Sequence, residues 1–544
     1  MSLPSGQTQG SLFGVPVLLG GLFTDPADRY RLFREKVMPT LWKQRAALAA
    51  LYCANNGRPG IEPVLMLAVS LLQFMEKVPD RKAAEHVRLH LGWKYALDLE
   101  LDAPGFDHST LGKFRDRLLA GEAQRLGFDA LLNGLRADGL VKKRSRQRLD
   151  STHVLGAVAR MSRLEVVRET IRLFLEHVQR CGAQADLADW PQWQERYLDS
   201  DIPWHRLSPE TLGEKFQQAG ADALSLLRWL RLAPQAVWDH ERAVLLERVL
   251  LEQYDLTGDA PMRRKCETSG SMKNPYDPDV QWASKDLAKT KTWEGYKVQL
   301  AETAPETDAP KAAGDPTEQF IVEVSTTPAI ASDLQGMQQV LTAEAQHQAD
   351  APSILHVDAA YVTDDTLAQA QAAGRELIGP PRPCGNAPGN GFTADAFTVD
   401  TATRSATCPA GHASRQCSLI NDNHKGCAYY RFEWAGLCDT CPLQAQCTQS
   451  RTGRRLLMVG LHHDLLQARR RQMQTEEFRR LLRRRNGIEG TISEFVRGGG
   501  RRTRYRGRRK TALGHYMQAA AINVNRWIRL LAWQHERQTV GNAP

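Results

Sequence analysis

The fold of this chain is decided by four strand-like stretches, GYKVQLAE (295–302), QFIVEVSTTPA (319–329), SILHVDAAYV (353–362) and RELIGP (375–380). Each stretch is rich in β-branched and aromatic residues, which is the pattern of a β-strand. Between them, SDLQGMQQVLTAEAQ (332–346) and DDTLAQAQAAG (364–374) have the composition and spacing of helices. Because strands alternate with helices here, the sequence predicts an α/β sheet.

Helical patterns surround this sheet region in the sequence. Apolar residues recur at helical spacing from about Asp25 to Leu140 and from Ser162 to Tyr254. The stretch from Asp464 to Arg485 predicts one strongly basic helix, and ALGHYMQAAAINVNRWIRLLAWQ (512–534) predicts a last amphipathic helix. The first helical region contains no sharp helix-turn-helix signature. It is therefore open whether that region is plain helical packing or a module for DNA binding or multimerisation.

Charge and hydropathy narrow the class of protein. No run of about 18 apolar residues occurs, so no membrane-spanning helix is predicted. The N-terminus has no basic start followed by an apolar run, so we expect a cytoplasmic protein without a secretory signal. Residues 451–510 contain 19 Lys and Arg against 5 Asp and Glu, and this segment holds all of the excess positive charge of the chain. Such a segment is either a solvated basic face or a surface for the phosphate backbone of DNA.

Three acidic residues stand out by their context. Asp150 lies in a short β-favouring run, RLDSTHV, and Asp358 lies at the end of an apolar strand. Glu489 lies in RRRNGIEGTISEF, next to a run of arginines. Carboxylates at strand ends point into the crevice at the edge of an α/β sheet. Two or three of them can hold a pair of Mg²⁺ ions for phosphoryl transfer. No H-E-x-x-H or G-x-S-x-G pattern occurs, so metalloprotease and serine-hydrolase readings have no support.

Six of the ten cysteines lie between Cys408 and Cys447. A long chain without a signal peptide favours a metal site over a disulfide scaffold. Four cysteines form the predicted ligand set of one structural zinc ion: Cys408, Cys438, Cys441 and Cys447. Other ligands could substitute for one of the four, namely Cys417, Cys427 and His412. The alternative is a set of buried thiols without metal.

The order of these blocks resembles the DDE transposases of bacterial insertion sequences, in the branch with a C-terminal cysteine-rich insertion. The blocks that carry the resemblance are PVLMLAVSLLQF (63–74), STLGKFRDRL (109–118), LDSTHV (149–154), the block at 277–300, HVDAAY (356–361), CPAG (408–411), the C-x₂-C-x₅-C run at Cys438, and RNGIEG (485–490). They cover almost the whole chain.

The resemblance implies an α/β RNase-H-like catalytic core with the triad Asp150, Asp358 and Glu489. These three would bind two Mg²⁺ or Mn²⁺ ions. Related enzymes carry a Tyr-x₂-Arg-x₃-Glu-x₆-Lys signature around the third acid. Arg485 matches its arginine and would contact phosphate, whereas Leu482 and Val496 stand at the tyrosine and lysine positions. Glu494 is a rival third acid, although its neighbours fit the signature less well.

The predicted organisation has five parts. They are a helical N-terminal domain (1–140), an RNase-H-like core (141–158 and 290–383), a helical insertion (159–289), a cysteine-rich zinc-binding insertion (384–455), and the remainder of the core with a basic DNA-contacting helix and loop (456–544). We expect DNA contacts from Arg497, Arg501, Arg502, Arg504, Arg506 and Lys510.

The predicted function is that of a DNA transposase. It would bind the ends of its element and target DNA, and would act as a homodimer on paired ends. It would cleave the DNA and join the freed end to the target. Two alternatives stay open at this point. One is a nuclease of the same fold that does not join strands, and the other is a catalytically degenerate DNA-binding relative.

Overall fold

The computed structural model describes residue 3 and residues 14–541, apart from 54–59, 201–206, 239, 259, 268–269, 287, 308–313, 349–351, 384–390 and 423–426. The protein is a mixed α/β structure. Among the described residues, no helix combines the length and the apolar character that crossing a membrane requires.

Helices and strands are numbered in chain order. The α-helices are α1 (Val15–Leu18), α2 (Arg29–Leu32), α3 (Met38–Trp42), α4 (Arg45–Ala49), α5 (Pro63–Glu76), α6 (Asp80–Leu89), α7 (Leu91–Ala96), α8 (Ser109–Ala120), α9 (Leu126–Ala137), α10 (Arg163–Arg180), α11 (Trp190–Trp193), α12 (Pro209–Leu230), α13 (Gln235–Trp238), α14 (Glu241–Gln253), α15 (Asp333–Gln348), α16 (Asp364–Ala372), α17 (Gln444–Cys447), α18 (His463–Gln472), α19 (Glu476–Arg483), α20 (Gly487–Phe495) and α21 (Arg508–Gly541). The strands are β1 (Arg146–Leu155), β2 (Tyr254–Asp255), β3 (Met262–Arg263), β4 (Gln281–Ser284), β5 (Thr292–Thr303), β6 (Ile321–Pro328), β7 (Ile354–His356), β8 (Glu376–Ile378), β9 (Thr398–Asp400), β10 (Ser405–Thr407), β11 (Gln416–Asp422), β12 (Cys427–Glu433) and β13 (Leu456–Gly460).

The central sheet has the strand order β4-β5-β1-β7-β8, and β6 also pairs with β5. Strands β1 and β5 run antiparallel, with Asp150 opposite Leu300. Strand β6 is antiparallel to β5, whereas β7 is parallel to β1 and β8 is parallel to β7. The predicted strands around Asp150 and in the four opening stretches are confirmed, and so are the helices predicted between them, α15 and α16.

The long insertion after β1 is helical, as predicted, and has a hydrophobic core of its own. It contains α10 to α14 and the short β2–β3 pair. Helix α10 begins at a capping box, in which Ser162 and Glu165 each bond the backbone N–H of the other. Ser208 caps α12 in a similar way through the Thr211 N–H.

The cysteine-rich region contains strands that the sequence patterns did not indicate. Strands β11, β12 and β13 form an antiparallel sheet, and β9 pairs with β10. Phe397, Phe432 and Trp434 are buried between these elements and form a small separate core. These strands are short and lie among exposed residues, so the alternation of apolar and polar residues that indicates a strand is weak here.

The single basic helix predicted from Asp464 to Arg485 is wrong. The chain instead forms α18, α19 and a 3₁₀ turn over Arg484–Asn486. Helix α18 ends at Gln472, with Met473 as its C-cap, and the Thr475 hydroxyl accepts a hydrogen bond from the Phe478 N–H (3.3 Å) at the start of α19. A threonine hydroxyl that accepts a backbone N–H bond stabilises the start of a new helix, and this competes with continuation of the preceding helix.

One continuous hydrophobic core joins the N-terminal helices to the central sheet and to the last helix. Leu67 of α5, Val298 of β5 and Trp527 of α21 belong to this same cluster and are almost fully buried. Helices α9 and α21 approach closely at Gly134, where a Cβ atom would lie 3.2 Å from the Trp527 ring. The predicted helical N-terminal region is therefore packed as part of the body that carries the sheet.

A buried carboxylate, Glu302 at the end of β5, ties α20 to the sheet. Its Oε1 accepts a hydrogen bond from Arg148 Nε (2.6 Å). Its Oε2 accepts from Thr491 Oγ1 of α20 (2.5 Å) and from Arg526 Nη1 of α21 (3.0 Å). Arg526 also bonds Glu494 of α20 (2.7 Å). We call Arg148, Glu302, Thr491, Glu494 and Arg526 the Glu302 network.

Replacing Arg526 with methionine should destabilise the protein by about 3 kcal/mol or more, because removing one partner leaves buried charge without compensation. We expect faster amide hydrogen exchange in α20 than in the wild-type chain. The exposed Arg529→Met change, on the same helix, should alter the free energy of unfolding by no more than about 0.5 kcal/mol. Equal stability and equal exchange in the two variants would show that the Glu302 network does not hold α20.

Candidate active site

The candidate site lies at a gap along one edge of β1. Strand β7 pairs with β1 only at Arg146–Arg148. Farther along, the Leu155 N–H donates to the Arg501 carbonyl (2.8 Å), and the Thr503 N–H donates to the Leu155 carbonyl (3.0 Å). The segment 501–503 therefore covers the end of the same edge. Asp150 lies between these two covered stretches, in what we call the β1 crevice.

Arg485 connects two of the three predicted acids. Its Nη1 lies 2.8 Å from Asp150 Oδ2, although the two residues are 335 positions apart in the chain. Its Nη2 lies 3.3 Å from Glu489 Oε1, one helical turn further on. Asp150 is largely buried, whereas the Glu489 side chain is 66% exposed. The Glu302 network holds α20 in the position that makes this contact possible.

The third predicted acid, Asp358, follows β7 by two residues. Its Oδ1 accepts a hydrogen bond from the Ala360 N–H (2.7 Å) and so caps the turn Ala359–Tyr361. Burial raises the pKa of Asp150, and the negative charge of Asp358 adds to this rise, whereas Arg485 and the Ser151 N–H oppose it. Asp358 is therefore close enough to Asp150 for the two charges to interact.

A fourth acid, Asp333, lies beside this site and was missed by the sequence analysis. Its Oδ1 is 3.1 Å from Ser151 Oγ and 3.2 Å from Lys297 Nζ. Burial raises the pKa of Tyr361, and the carboxylates of Asp333, Asp150 and Asp358 raise it further. Asp333 follows the strand-like stretch 319–329 closely, which is the same signal that pointed to Asp358.

These acids are near one another but are not a ready metal-binding cluster. Within the described part of the chain, no group of three or more His, Cys, Asp or Glu side chains is arranged to hold a metal ion. Arg485 lies between Asp150 and Glu489 and compensates their charge. The donor chemistry nevertheless suits Mg²⁺, which prefers carboxylate oxygens and keeps several waters.

The rival acid Glu494 has a different environment. Both of its bonds to Arg526, from Nε (3.0 Å) and Nη2 (2.7 Å), belong to the Glu302 network. Glu494 therefore serves as a partner of a buried arginine, whereas Glu489 faces Arg485. Of the two, only Glu489 is linked through a hydrogen-bonded arginine to Asp150.

Two protein-family models match this chain. One, described as a transposase DDE domain, matches residues 407–528. The other, described as a transposase domain (DUF772), matches residues 21–117. Both models describe transposase domains, and each of them matches less than half of the chain. These matches confirm the predicted resemblance to insertion-sequence transposases. A search of curated proteins and a search of solved structures each found no match.

The two matched segments cover the chain unevenly. The DDE-domain match contains Glu489, Arg485 and the cysteines from Cys408 onwards, but it begins after Asp150 and Asp358. The second match covers most of the N-terminal helices, which share the central core. The assignment of Asp150 and Asp358 therefore depends on the β1 crevice itself.

The cations predicted to bind DNA come after the residues of the crevice in the chain. Arg502, Arg504 and Arg506 are exposed and alternate with the buried residues Thr503 and Tyr505. This alternation is that of an extended segment, with one face packed on the protein and the other in solvent.

The remaining predicted cations have protein partners. Arg501 Nη1 donates to the His153 carbonyl inside the crevice (3.0 Å). Arg497 is exposed and donates to the Ser493 carbonyl, one turn earlier in the chain (3.4 Å). Lys510 lies 2.6 Å from Asp116 of α8. Arg504 also lies over the Phe74 ring, at 4.9 Å, so its stem packs on α5.

The four predicted zinc ligands line one small pocket in the cysteine-rich region: Cys408, Cys438, Cys441 and Cys447. His412 lines the same pocket, whereas Cys417 and Cys427 do not. The CPAG stretch makes a tight turn there, in which Gly411 has a φ of 82° and its N–H donates to the Cys408 carbonyl (2.8 Å). Burial raises the pKa of Cys447, and the other three thiols contribute to this rise.

Proposed function

We propose that this protein is a DNA transposase enzyme that binds the ends of its element, cleaves DNA and transfers the freed strand to target DNA. The observation that carries the proposal is the contact of Arg485 with both Asp150 and Glu489 at the β1 crevice. Residues far apart in the chain meet there beside Asp358, and each of them was predicted for catalysis from the sequence.

The sheet supports an RNase-H-like core. Three strands that follow one another in the order β6-β5-β1 are antiparallel, and β7 and β8 then extend the sheet in parallel. In chain order, Asp150 lies on the first of these strands, β1, and Asp358 follows the fourth, β7. This arrangement agrees with the strand assignment that the resemblance implies.

Asp150, Asp358 and Glu489 would hold two Mg²⁺ or Mn²⁺ ions. Bound ions of this kind activate the attacking oxygen and stabilise the leaving oxygen in an in-line phosphoryl transfer. Arg485 would exchange its carboxylate partners for a phosphate oxygen near the scissile bond, for which its planar fork is suited. Arg501 keeps the end of the crevice closed by its bond to the His153 carbonyl.

The exposed arginines beside the crevice would contact the phosphate backbone of the DNA. Arg497, Arg502, Arg504 and Arg506 project into solvent from the chain that follows α20. Phosphate contacts of this kind position DNA without reading its sequence. Arg501 and Lys510 would contribute less, because their side chains already have protein partners.

Three further parts of the proposal follow from the same argument. Joining two ends requires two active sites, so we propose a homodimer on paired ends. A bacterial DNA substrate implies a cytoplasmic location. The four-cysteine pocket would bind one structural Zn²⁺, because four thiolates can close a tetrahedral site, and the convergence of the four predicted ligands on one pocket supports this.

Asp150→Ala, Asp358→Ala and Glu489→Gln should each abolish cleavage and strand transfer while end binding remains close to wild type. Carboxylates that hold metal act on the chemical step, whereas phosphate contacts provide affinity. Labelled element ends with target DNA would report both reactions. Glu494→Gln is the matched control, because glutamine can still accept a bond from Arg526.

The outcomes separate the candidate functions. An active Glu489→Gln with an inactive Glu494→Gln would mean that Glu494 is the third acid. Cleavage by the wild-type chain without any joined product would indicate the nuclease. Binding without either reaction would indicate the degenerate relative.

Replacing Arg502, Arg504 and Arg506 together with glutamine should weaken binding to specific and random DNA alike. The slope of log K against log salt should fall by up to ~0.9 for each duplex phosphate contact that is lost. Titration at several salt concentrations would measure this slope. A control that neutralises Arg180, Arg263 and Lys265 of the helical insertion should keep the wild-type slope, and equal slopes in all three proteins would show that the 502–506 segment is only a solvated face.

Protein purified without chelators should contain about one zinc ion per chain by elemental analysis. Cys438→Ser should lose the ion and increase hydrogen exchange in β11 to β13, because a closed thiolate site contributes directly to folding. Cys53→Ser should retain zinc, because Cys53 is an exposed cysteine that lies far from the four predicted ligands in the sequence. Absence of zinc from the wild-type protein would leave the buried-thiol alternative.

A further inference from the structure

The helical insertion carries an apolar groove that continues outward from the edge of its own core. Helices α12 and α14 bury Leu226 and Leu246 in that core. At the edge of this core, Leu224 and Leu227 of α12 and the exposed Val244 of α14 line an open groove. The apolar surface of these two neighbouring helices therefore extends past the core to residues that are exposed, whereas the apolar stripe of a surface helix normally faces the core.

The apolar residues along this groove are unusually exposed. Among the residues that line it, the exposed fraction is 61% for Val244, 51% for Leu251, 49% for Trp238 and 37% for Leu256. Single exposed apolar residues are common on protein surfaces, but a contiguous patch of large ones marks an interaction site. We call this patch, with the groove between α12 and α14, the insertion groove.

Charged residues line the two sides of the insertion groove and differ in sign. Arg228 and Arg231 lie on the α12 side, whereas Glu241 and Glu247 lie on the α14 side. All four are exposed, and none forms a salt bridge within the described part of the chain. The groove thus has an apolar floor, one basic side and one acidic side.

We propose that the insertion groove binds the same groove of a second copy of this chain. With a two-fold axis parallel to the groove, the arginine side of one copy faces the glutamate side of the other, at both edges of the contact. The apolar floors then bury each other. A patch that is complementary to itself in charge is the requirement for an isologous two-fold interface.

DNA is a poor match for this surface, because only one side is basic and a phosphate backbone would also meet the apolar floor and the glutamates of the other side. The inference rests on the proposed function for the need of two copies. The evidence for the place of contact is the insertion groove alone.

Charge reversal tests the proposal on the full chain without DNA. Arg228→Glu with Arg231→Glu makes both sides acidic, and Glu241→Arg with Glu247→Arg makes both sides basic. Each double variant should self-associate at least about tenfold more weakly than wild type, because like charges then face each other. Sedimentation velocity over a concentration series would measure the association.

Two mixing experiments separate this interface from any other occupant. An equimolar mixture of the two double variants should form a heterodimer, because an acidic groove then meets a basic one. The quadruple variant should again self-associate, because its two sides are exchanged but remain complementary. Rescue in both cases cannot arise from a misfolded insertion, since all the altered residues are exposed.

Three results would overturn the proposal. They are a wild-type chain that stays monomeric at all concentrations, dimerisation that the double variants do not weaken, and failure of the mixture to associate. A segment of the same chain seated in the groove would give the first result, and an interface elsewhere would give the second. Glu489→Gln should dimerise like wild type. Loss of catalysis and loss of dimerisation can therefore be distinguished, and the catalytic proposal can fail without the interface proposal failing.

Discussion

The position of the catalytic candidates depends on the Glu302 carboxylate, which is fully buried. Taking such a charge out of water costs several kcal/mol unless partners surround it. Here the partners come from β1, α20 and α21, so the charge is compensated only when these three elements are in place. The electrostatic requirement of one residue thereby fixes the helix of Glu489 against the strand of Asp150.

The elements whose pattern is local could be predicted from the sequence. The strands of the central sheet alternate or are continuously apolar, and each predicted stretch contains or overlaps a strand, although β7 covers only Ile354–His356 of the stretch 353–362. The helical insertion was recognisable because its apolar residues recur with the helical period. The approach of Asp150 to Asp358 follows from the same logic, because both lie where strands meet one edge of a sheet.

Contacts between distant segments could not be predicted in this way. Nothing local shows that residues 501–503 cover the end of β1, or that Arg485 bonds Asp150 rather than remaining free. The break at Thr475 was missed because the arginines on either side have high helix propensity, whereas the cap depends on one hydroxyl. Asp333 closely follows the strand-like stretch 319–329, which is a usable signal, although it lies outside the blocks that carry the resemblance.

The shared core has a consequence for how the chain acquires its structure during synthesis. Helices α5 and α9 need the apolar face of α21 to complete their packing, yet some 370 residues separate α9 from α21. At a translation rate of about 5–20 residues per second, the N-terminal helices wait between roughly 20 and 75 s for their partner. During that interval their apolar faces are exposed to chaperones and proteases. Premature termination upstream of α21 would leave a chain whose first helices have no core to join.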